Sequence, residues 1–363
     1  AWHWSTQRQS TQMHMAGAEA DGAIVPPSAD IAELAWRRLA PQRWPVPLEA
    51  FPAGTAVVGG AVRDALLDRL SAYPDIDLVL PGDAVALCRQ LQRRHGGSAV
   101  VLDSERSIAR LVISGWNIDL ARQEGGSLEA DLHRRDYTIN AMALPLERPH
   151  RLVDPLAGAE HLACRELVAI AEANLLDDPL RLLRGLRLAS ELAFGIEAQS
   201  LAWIQQHHAR IAHVAGERVL AELEKLAAAP QGQRGLMEVW RCGLLAPWCT
   251  DSPTPPAAGG LLEQLHPEAA AACGLDAAEA QQMLPLARLA ALLDGPSLRR
   301  LRSSRRLQQR VERLRHWQAR LHDGGSEPAA RAEALPERDR LQLHRQLEED
   351  LPALLLGWPS GSA

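Results

Sequence analysis

The period of the apolar pattern changes once along this chain, at Pro155, and that change constrains the fold more than any other feature. Before it, short apolar runs alternate with turn residues: Ala56-Val57-Val58, then Ile76 with Leu78, Val79 and Leu80, then Ala99–Leu102, Ala109–Ile113 and Asn117–Leu120. Such runs, bounded by Gly, Pro, Asp and Ser, specify strands, and about five are expected between residues 51 and 145. A helix over 83–95 fits between the second and third runs, and the spacing Ile31, Leu34, Ala35, Leu39 predicts a short helix ahead of the first. After Pro155, long Leu/Ala/Arg segments with helical periodicity take over. The expected class is α+β: a small mixed-sheet head over 31–155, then an all-α neck over 156–250 and a helical body and tail over 261–356. The stretch Thr250–Gly260, rich in Pro and Gly, is expected to be a linker.

Composition narrows the partners. A chain of 363 residues has room for two or three domains. With no run of about 18 apolar residues, a helical membrane span is not expected. The net charge of −6 argues against a surface that coats nucleic acid all over, though not against a local basic groove. Lys225 is the only lysine, so an arginine at any one place says little about a choice over lysine. Five scattered cysteines without metal-type spacing point to free thiols in a reducing cytoplasm. Residues 1–22 are polar and lack the apolar core of a secretory leader, so 1–30 is expected to be a disordered extension.

Chemistry concentrates in four places. Asp75-Ile76-Asp77 falls on the second expected strand, where alternate side chains share a face, so two carboxylates can converge on one divalent cation. Their hard oxygens suit Mg²⁺. Taken alone, Asp-x-Asp is usually a solvated strand edge. Upstream, Gly59-Gly60-Ala61-Val62-Arg63-Asp64 follows a strand and opens a helix, an arrangement that brings backbone amides and a helix N-terminus to a polyphosphate. Arg63 could present a guanidinium fork there. Downstream, Arg134-Arg135-Asp136-Tyr137-Thr138-Ile139-Asn140-Ala141-Met142-Ala143 pairs guanidinium groups with a carboxylate that can orient them. Finally, Asp177-Asp178-Pro179-Leu180-Arg181 starts a helix on which Arg181, Arg184 and Arg187 recur every third residue.

Together these segments resemble the class II tRNA nucleotidyltransferase and bacterial poly(A) polymerase family, within the DNA polymerase beta superfamily, over about Thr55 to Leu245. The resemblance implies a nucleotidyltransferase head, with Asp75 and Asp77 as catalytic metal ligands. It implies that Gly59, Gly60, Arg63 and Arg135 bind nucleotide. Asp178 and Arg181 match the family's Glu-Asp-x-x-Arg, a protein template for the incoming base, with Asp177 standing where Glu is common. Arg184 and Arg187 match further positions near the nucleotide. Val153–Gly158 resembles the family's hinge after the head, and Gly216–Leu223 its neck and RNA-binding region.

The expected activity is transfer of CMP, AMP or both from CTP and ATP to a tRNA 3′ end. A poly(A) polymerase and a non-catalytic RNA-binding relative are the alternatives. The segment 122–132 is much shorter than the loop of some twenty residues in many CCA-adding members, which leans toward CC addition. Asp119 is a candidate third carboxylate, and Arg122 a candidate phosphate contact. His322-Asp323 lacks the partners of a phosphohydrolase motif. Between Arg299 and Arg320 lie nine arginines and one glutamate, Glu312, a helical face that either tracks RNA phosphates or is simply solvated.

Overall fold

The computed structural model describes residues 28–148, 150–249, 256–322, 332 and 334–356. The expected extension, up to residue 27, lies outside the described residues, as do residues 250–255 of the expected linker, Asp323 and the glycines after it. The chain divides between Asn174 and Leu175 into two compact units.

The first unit is built on a six-stranded sheet. Its strands are β1 (Ala56–Val58), β2 (Ile76–Leu80), β3 (Ser98–Asp103), β4 (Ile108–Ile113), β5 (Trp116–Arg122) and β6 (Ala143–Pro145), in the spatial order β3-β4-β5-β2-β1-β6. Only β2 and β5 run parallel. Five strands match the apolar runs. The sixth, β6, starts at the last residue of the Arg-Arg-Asp segment and is too short to show a period. Asp75 immediately precedes β2 rather than lying on it.

The two faces of the sheet differ. Ile76, Leu78, Leu111, Ile118 and Leu120 are buried on one of them, where the helix α3 (Ala84–His95) packs through Cys88 and Leu91. Asp83 starts α3 by accepting a hydrogen bond from the Ala86 amide at 3.1 Å. On the opposite face, Ala56, Val58, Val79 and Ala143 form a second core with Leu132 and Ala141. Leu132 comes from α4 (Leu128–His133), a helix in a stretch read from sequence as loop. Between β1 and β2 stands α2 (Gly60–Leu66), and α1 (Ser28–Leu39) is tied to its end: Arg38 donates to the carbonyls of Ala65 and Leu66 at 2.9 and 3.0 Å. Two short helices, α5 (Gly158–Ala163) and α6 (Glu172–Asp177), follow the sheet.

The second unit is helical: α7 (Leu180–Leu192), α8 (Ala198–Gln206), α9 (Gly216–Ala228), α10 (Gly232–Arg241), α11 (Pro256–Gln264), α12 (Pro267–Ala272), α13 (Ala277–Leu292), α14 (Gly295–Arg300), α15 (Arg305–His322), α16 (Glu337–Leu347) and α17 (Leu351–Leu356). Residues 256–260 of the expected linker therefore belong to a helix. Arg288 of α13 is 1 % exposed. Its guanidinium donates to the carbonyls of Leu265, Ala227 and Ala229 at 2.8, 2.7 and 2.9 Å and to the Gln233 side-chain oxygen at 3.0 Å. Helix C-termini present unpaired carbonyls, and this arginine supplies donors to the ends of α9 and α11. Burial pushes it down to about 10, which still leaves it charged.

Candidate active site

Gly59 ends β1 with φ +71°, a conformation that favours glycine. Its position explains the requirement further: a Cβ there would lie 3.3 Å from Arg135 Nη1 and 3.5 Å from Asp77 Oδ2. The turn thus lies within a few ångströms of both an acidic strand residue and the second arginine of the Arg-Arg-Asp segment. Asp75 accepts a hydrogen bond from Asn117 Nδ2 at 2.9 Å. An open cleft of about 300 Å³ adjoins them, lined among others by Gly60, Asp64, Arg69, Ser71, Asp75 and Asp77.

Arg135 is aimed from behind. Its Nε and Nη2 donate to Asp131 Oδ2 at 3.2 and 2.9 Å, and Asp131 is buried. Asn174 donates to the carbonyls of His133 and Arg135, both at 2.7 Å, fixing the backbone of the segment. Asp136 accepts from the Tyr137 amide at 2.8 Å and from Asn140 at 3.3 Å. The Val153–Gly158 stretch folds back on this segment: Asp154 accepts from the amides of Gly158 and Ala159 at 2.7 and 2.9 Å, and His161 Nδ1 lies 2.9 Å from Thr138 Oγ1.

Arg63 has a different placement from the one its sequence context invites. It is buried, with two hydrogen bonds of 2.9 Å to Asp64 and one of 2.7 Å to Asn140. A guanidinium held this way braces the glycine turn against the Arg-Arg-Asp segment instead of reaching into the cleft.

Asp119 stands beside Asp77 in register on the neighbouring strand. Both its oxygens are taken by Arg110, which donates from Nε at 2.7 Å and Nη2 at 2.8 Å. That hydrogen-bonded fork, with the further pull of Asp119, Asp75 and Asp77, pushes Arg110 up from its ordinary value. Arg110 was not singled out from sequence, because the signal is a cross-strand pairing nine residues apart. Arg122 donates to the Glu105 carbonyl at 3.2 Å. Between β5 and α4 only residues 123–127 intervene, with Gly125 and Gly126 both at positive φ.

In the second unit, Asp178 precedes α7 and accepts from the Leu180 amide at 3.3 Å and from Arg218 of α9 at 2.9 Å. Arg181 is half-buried and Arg184 exposed on the same helix. Arg187, expected near the nucleotide, is instead mostly buried between α7 and α9. It donates to Glu222 at 2.6 Å and Glu191 at 2.5 Å.

The basic segment at 299–320 is engaged within its own unit, although Arg299, Arg302 and Arg306 stay exposed. Eight of its nine arginines have partners inside the unit. Arg299, Arg302, Arg306, Arg310 and Arg320 meet Glu312, Glu217, Glu349, Asp350 and Asp339. Arg300, Arg313 and Arg315 donate to the carbonyls of Trp248, Gln346 and Ala290.

Residues 55–168 match the poly A polymerase head domain, and residues 193–249 match the probable RNA and SrmB-binding site of polymerase A. A CC-adding tRNA nucleotidyltransferase of Synechocystis sp. is 42 % identical over 207 residues, 57 % of this chain and 50 % of that protein. An A-adding tRNA nucleotidyltransferase of Deinococcus radiodurans is 41 % identical over 204 residues, 55 % of this chain and 46 % of that protein. The chain spans about half the length of the curated relatives it matches. In fold it is similar to the Thermotoga maritima CCA-adding enzyme complexed with tRNA, at a TM-score of 0.71 and 22 % identity, over 91 % of this chain and 82 % of that one. In its head and in the helical segment behind it, the chain is thus similar to the class II tRNA nucleotidyltransferases and bacterial poly(A) polymerases.

Proposed function

We propose that this chain is a template-independent RNA nucleotidyltransferase that adds CMP, AMP or both, from CTP and ATP, to the 3′ end of tRNA in the cytoplasm. The observation that carries the reading is the convergence of Asp77, Gly59 and Arg135 beside Asp75 and the open cleft.

Mg²⁺ is the cofactor that the donor set fits. Among the described residues no group of three or more His, Cys, Asp or Glu gathers as a self-sufficient cage. Mg²⁺ is commonly bound by one or two carboxylates together with substrate phosphates, and Asp75 and Asp77 supply that pair. When bound, the ion lowers the pKa of the attacking hydroxyl and offsets charge on the transferring phosphoryl group.

The rest falls to the chain's own residues. Backbone amides at Gly59-Gly60 and the Arg135 guanidinium receive the triphosphate, with Arg63 holding that turn in shape. The RNA 3′ oxygen attacks the α-phosphorus in line, the bond to the bridging oxygen breaks, and pyrophosphate leaves. Positioning and fixed charge do the work, and no covalent enzyme intermediate is needed. Asp178 and Arg181 present the edge that selects the base, and Arg184 lies along the same helix. Arg187 supports that helix from behind by its ion pair to α9.

The five-residue connection between β5 and α4 favours addition of CC without the terminal A, since it leaves little chain to rearrange between two base specificities. The test is incubation of the purified chain with tRNA ending before CC, before A, or after CCA, supplying each NTP separately and sequencing the products. Addition of two C residues and no A is expected; no addition to any of the three RNAs overturns the assignment.

A further inference from the structure

Exposed apolar surface on this molecule is concentrated. Six large apolar side chains are exposed among the described residues, and five of them, Tyr73, Val100, Val101, Leu102 and Val112, belong to β3, β4 and the approach to β2. Register puts two of these on the face that carries the carboxylates. Asp77 is opposite Asp119, Asp119 opposite Arg110, and Arg110 opposite Val100. In the neighbouring row Asn117, which donates to Asp75, is opposite Val112. Side chains directly opposite across paired strands share a face. One face therefore runs from two acidic side chains through a guanidinium to valines that are 46 % and 39 % exposed.

The directions around Asp75 and Asp77 are not equivalent. Toward β1 and β6 the same face is closed by Leu132 and Ala141. Toward the glycine turn lie Gly59, Gly60 and Arg135, the groups suited to a triphosphate. Toward β4 and β3 the face is open and apolar. Val100 is three strand spacings from Asp77, about 14 Å at about 4.8 Å each, a span that the last nucleotides of an RNA can cover.

We propose that Val100 and Val112 form a platform for the unpaired bases at the 3′ end of the acceptor RNA, which enters over β3 and β4 with its terminal hydroxyl directed to Asp75 and Asp77. This rests on the functional reading above. Unpaired bases pack their flat faces on apolar and aromatic side chains, and this contact tolerates any base. The valine side chains carry no hydrogen-bonding atoms, so the platform holds an RNA end without reading it. It leaves selection of the incoming nucleotide to other residues.

The test uses the full chain and a tRNA transcript lacking its last three nucleotides, with 4-thiouridine at its 3′ end for crosslinking. In the wild-type protein, crosslinks are expected within residues 98–113. The double change Val100→Asp/Val112→Asp is expected to raise KM for the RNA about tenfold, equally for all four terminal bases. KM for CTP, kcat at saturating RNA and the melting temperature should stay within about twofold or a degree or two, because both side chains are exposed. Val100→Thr/Val112→Thr, of similar shape, should restore most of the affinity. An active double variant with unchanged RNA KM, or crosslinks confined to other segments, overturns the platform and leaves the activity standing. A wild-type dimer that the aspartates dissociate while RNA KM stays constant also overturns it, in favour of self-association. A wild-type protein that adds no nucleotide overturns the functional reading and this inference with it.

Discussion

Asp119 accepts a full guanidinium fork from Arg110, whereas Glu222 accepts a single strong bond from Arg187, and burial separates the consequences. Arg110 and Asp119 are both partly exposed on the open sheet face, where an ion pair contributes little to stability and much to local charge. Arg187 and Glu222 are 12 % and 10 % exposed, so removing the arginine strands a buried carboxylate. Arg187→Met is expected to destabilise the second unit by about 2–4 kcal/mol, somewhat eased by Lys225 at 3.5 Å from the other oxygen. A lowered urea midpoint with KM for CTP unchanged would establish the supporting role; a raised KM at full stability would return Arg187 to the nucleotide. Asp77→Ala makes the contrasting case. It removes a proposed metal ligand from a half-exposed position and should cost about 10³-fold or more in incorporation under Mg²⁺ while the melting temperature holds. Near-normal incorporation by that variant would refute the site.

Elements were legible from sequence where their own period carried the information. The helices at 28–39 and 84–95 and five of the six strands follow directly from spacing. The glycine turn and the Arg-Arg-Asp segment were likewise visible, although their meeting depends on a fold that spacing cannot show. What stayed hidden depended on residues far along the chain. The helix at 128–133 is held by Leu132 reaching a core shared with β1 and β6, and Arg63 is captured by Asn140, 77 residues away. The arginine face of α15 gave the same periodic pattern whether it met solvent, RNA or another helix. Its partners lie on α16 and the turn before α17, and for Arg315 at the end of α13. Asp350, 5 % exposed, takes both ends of the Arg310 fork and pushes that arginine up. Asp350→Asn should loosen the tail by about 1–3 kcal/mol, read as faster amide exchange over 337–356 with no change elsewhere. Uniformly faster exchange would mean that the tail is not a separate cooperative element.

For the molecule as a whole, the two units draw on different physics. The first is a sheet buried over most of one face and only toward β1 and β6 on the other. The second is a helical assembly in which Arg288 serves carbonyls from two helix ends and a side chain on a third helix. Replacing it by Met would leave those carbonyls without donors in a dry interior, at a cost of about 2–4 kcal/mol. Gly232 sharpens the expectation, since a Cβ there would lie 2.5 Å from the Leu226 carbonyl and 2.6 Å from Arg288 Nη1, so only glycine leaves room for the guanidinium against the helix end. Calorimetry should show the second unit's transition falling while the first unit's remains; a single unchanged transition would show that the carbonyls find other donors. The α+β order of head and helices was readable from the change of period at Pro155. The buried arginine was not, because among so many arginines nothing in its sequence context marks it.

The partners of the basic segment also bear on how fast the proposed RNA substrate would be captured. Five of its nine arginines are balanced by carboxylates, and the chain as a whole carries −6. A polyanion diffusing toward such a surface feels little long-range attraction from that segment. Its capture then depends on short-range fit at the site, and the encounter rate should change little as added salt shortens the reach of charge.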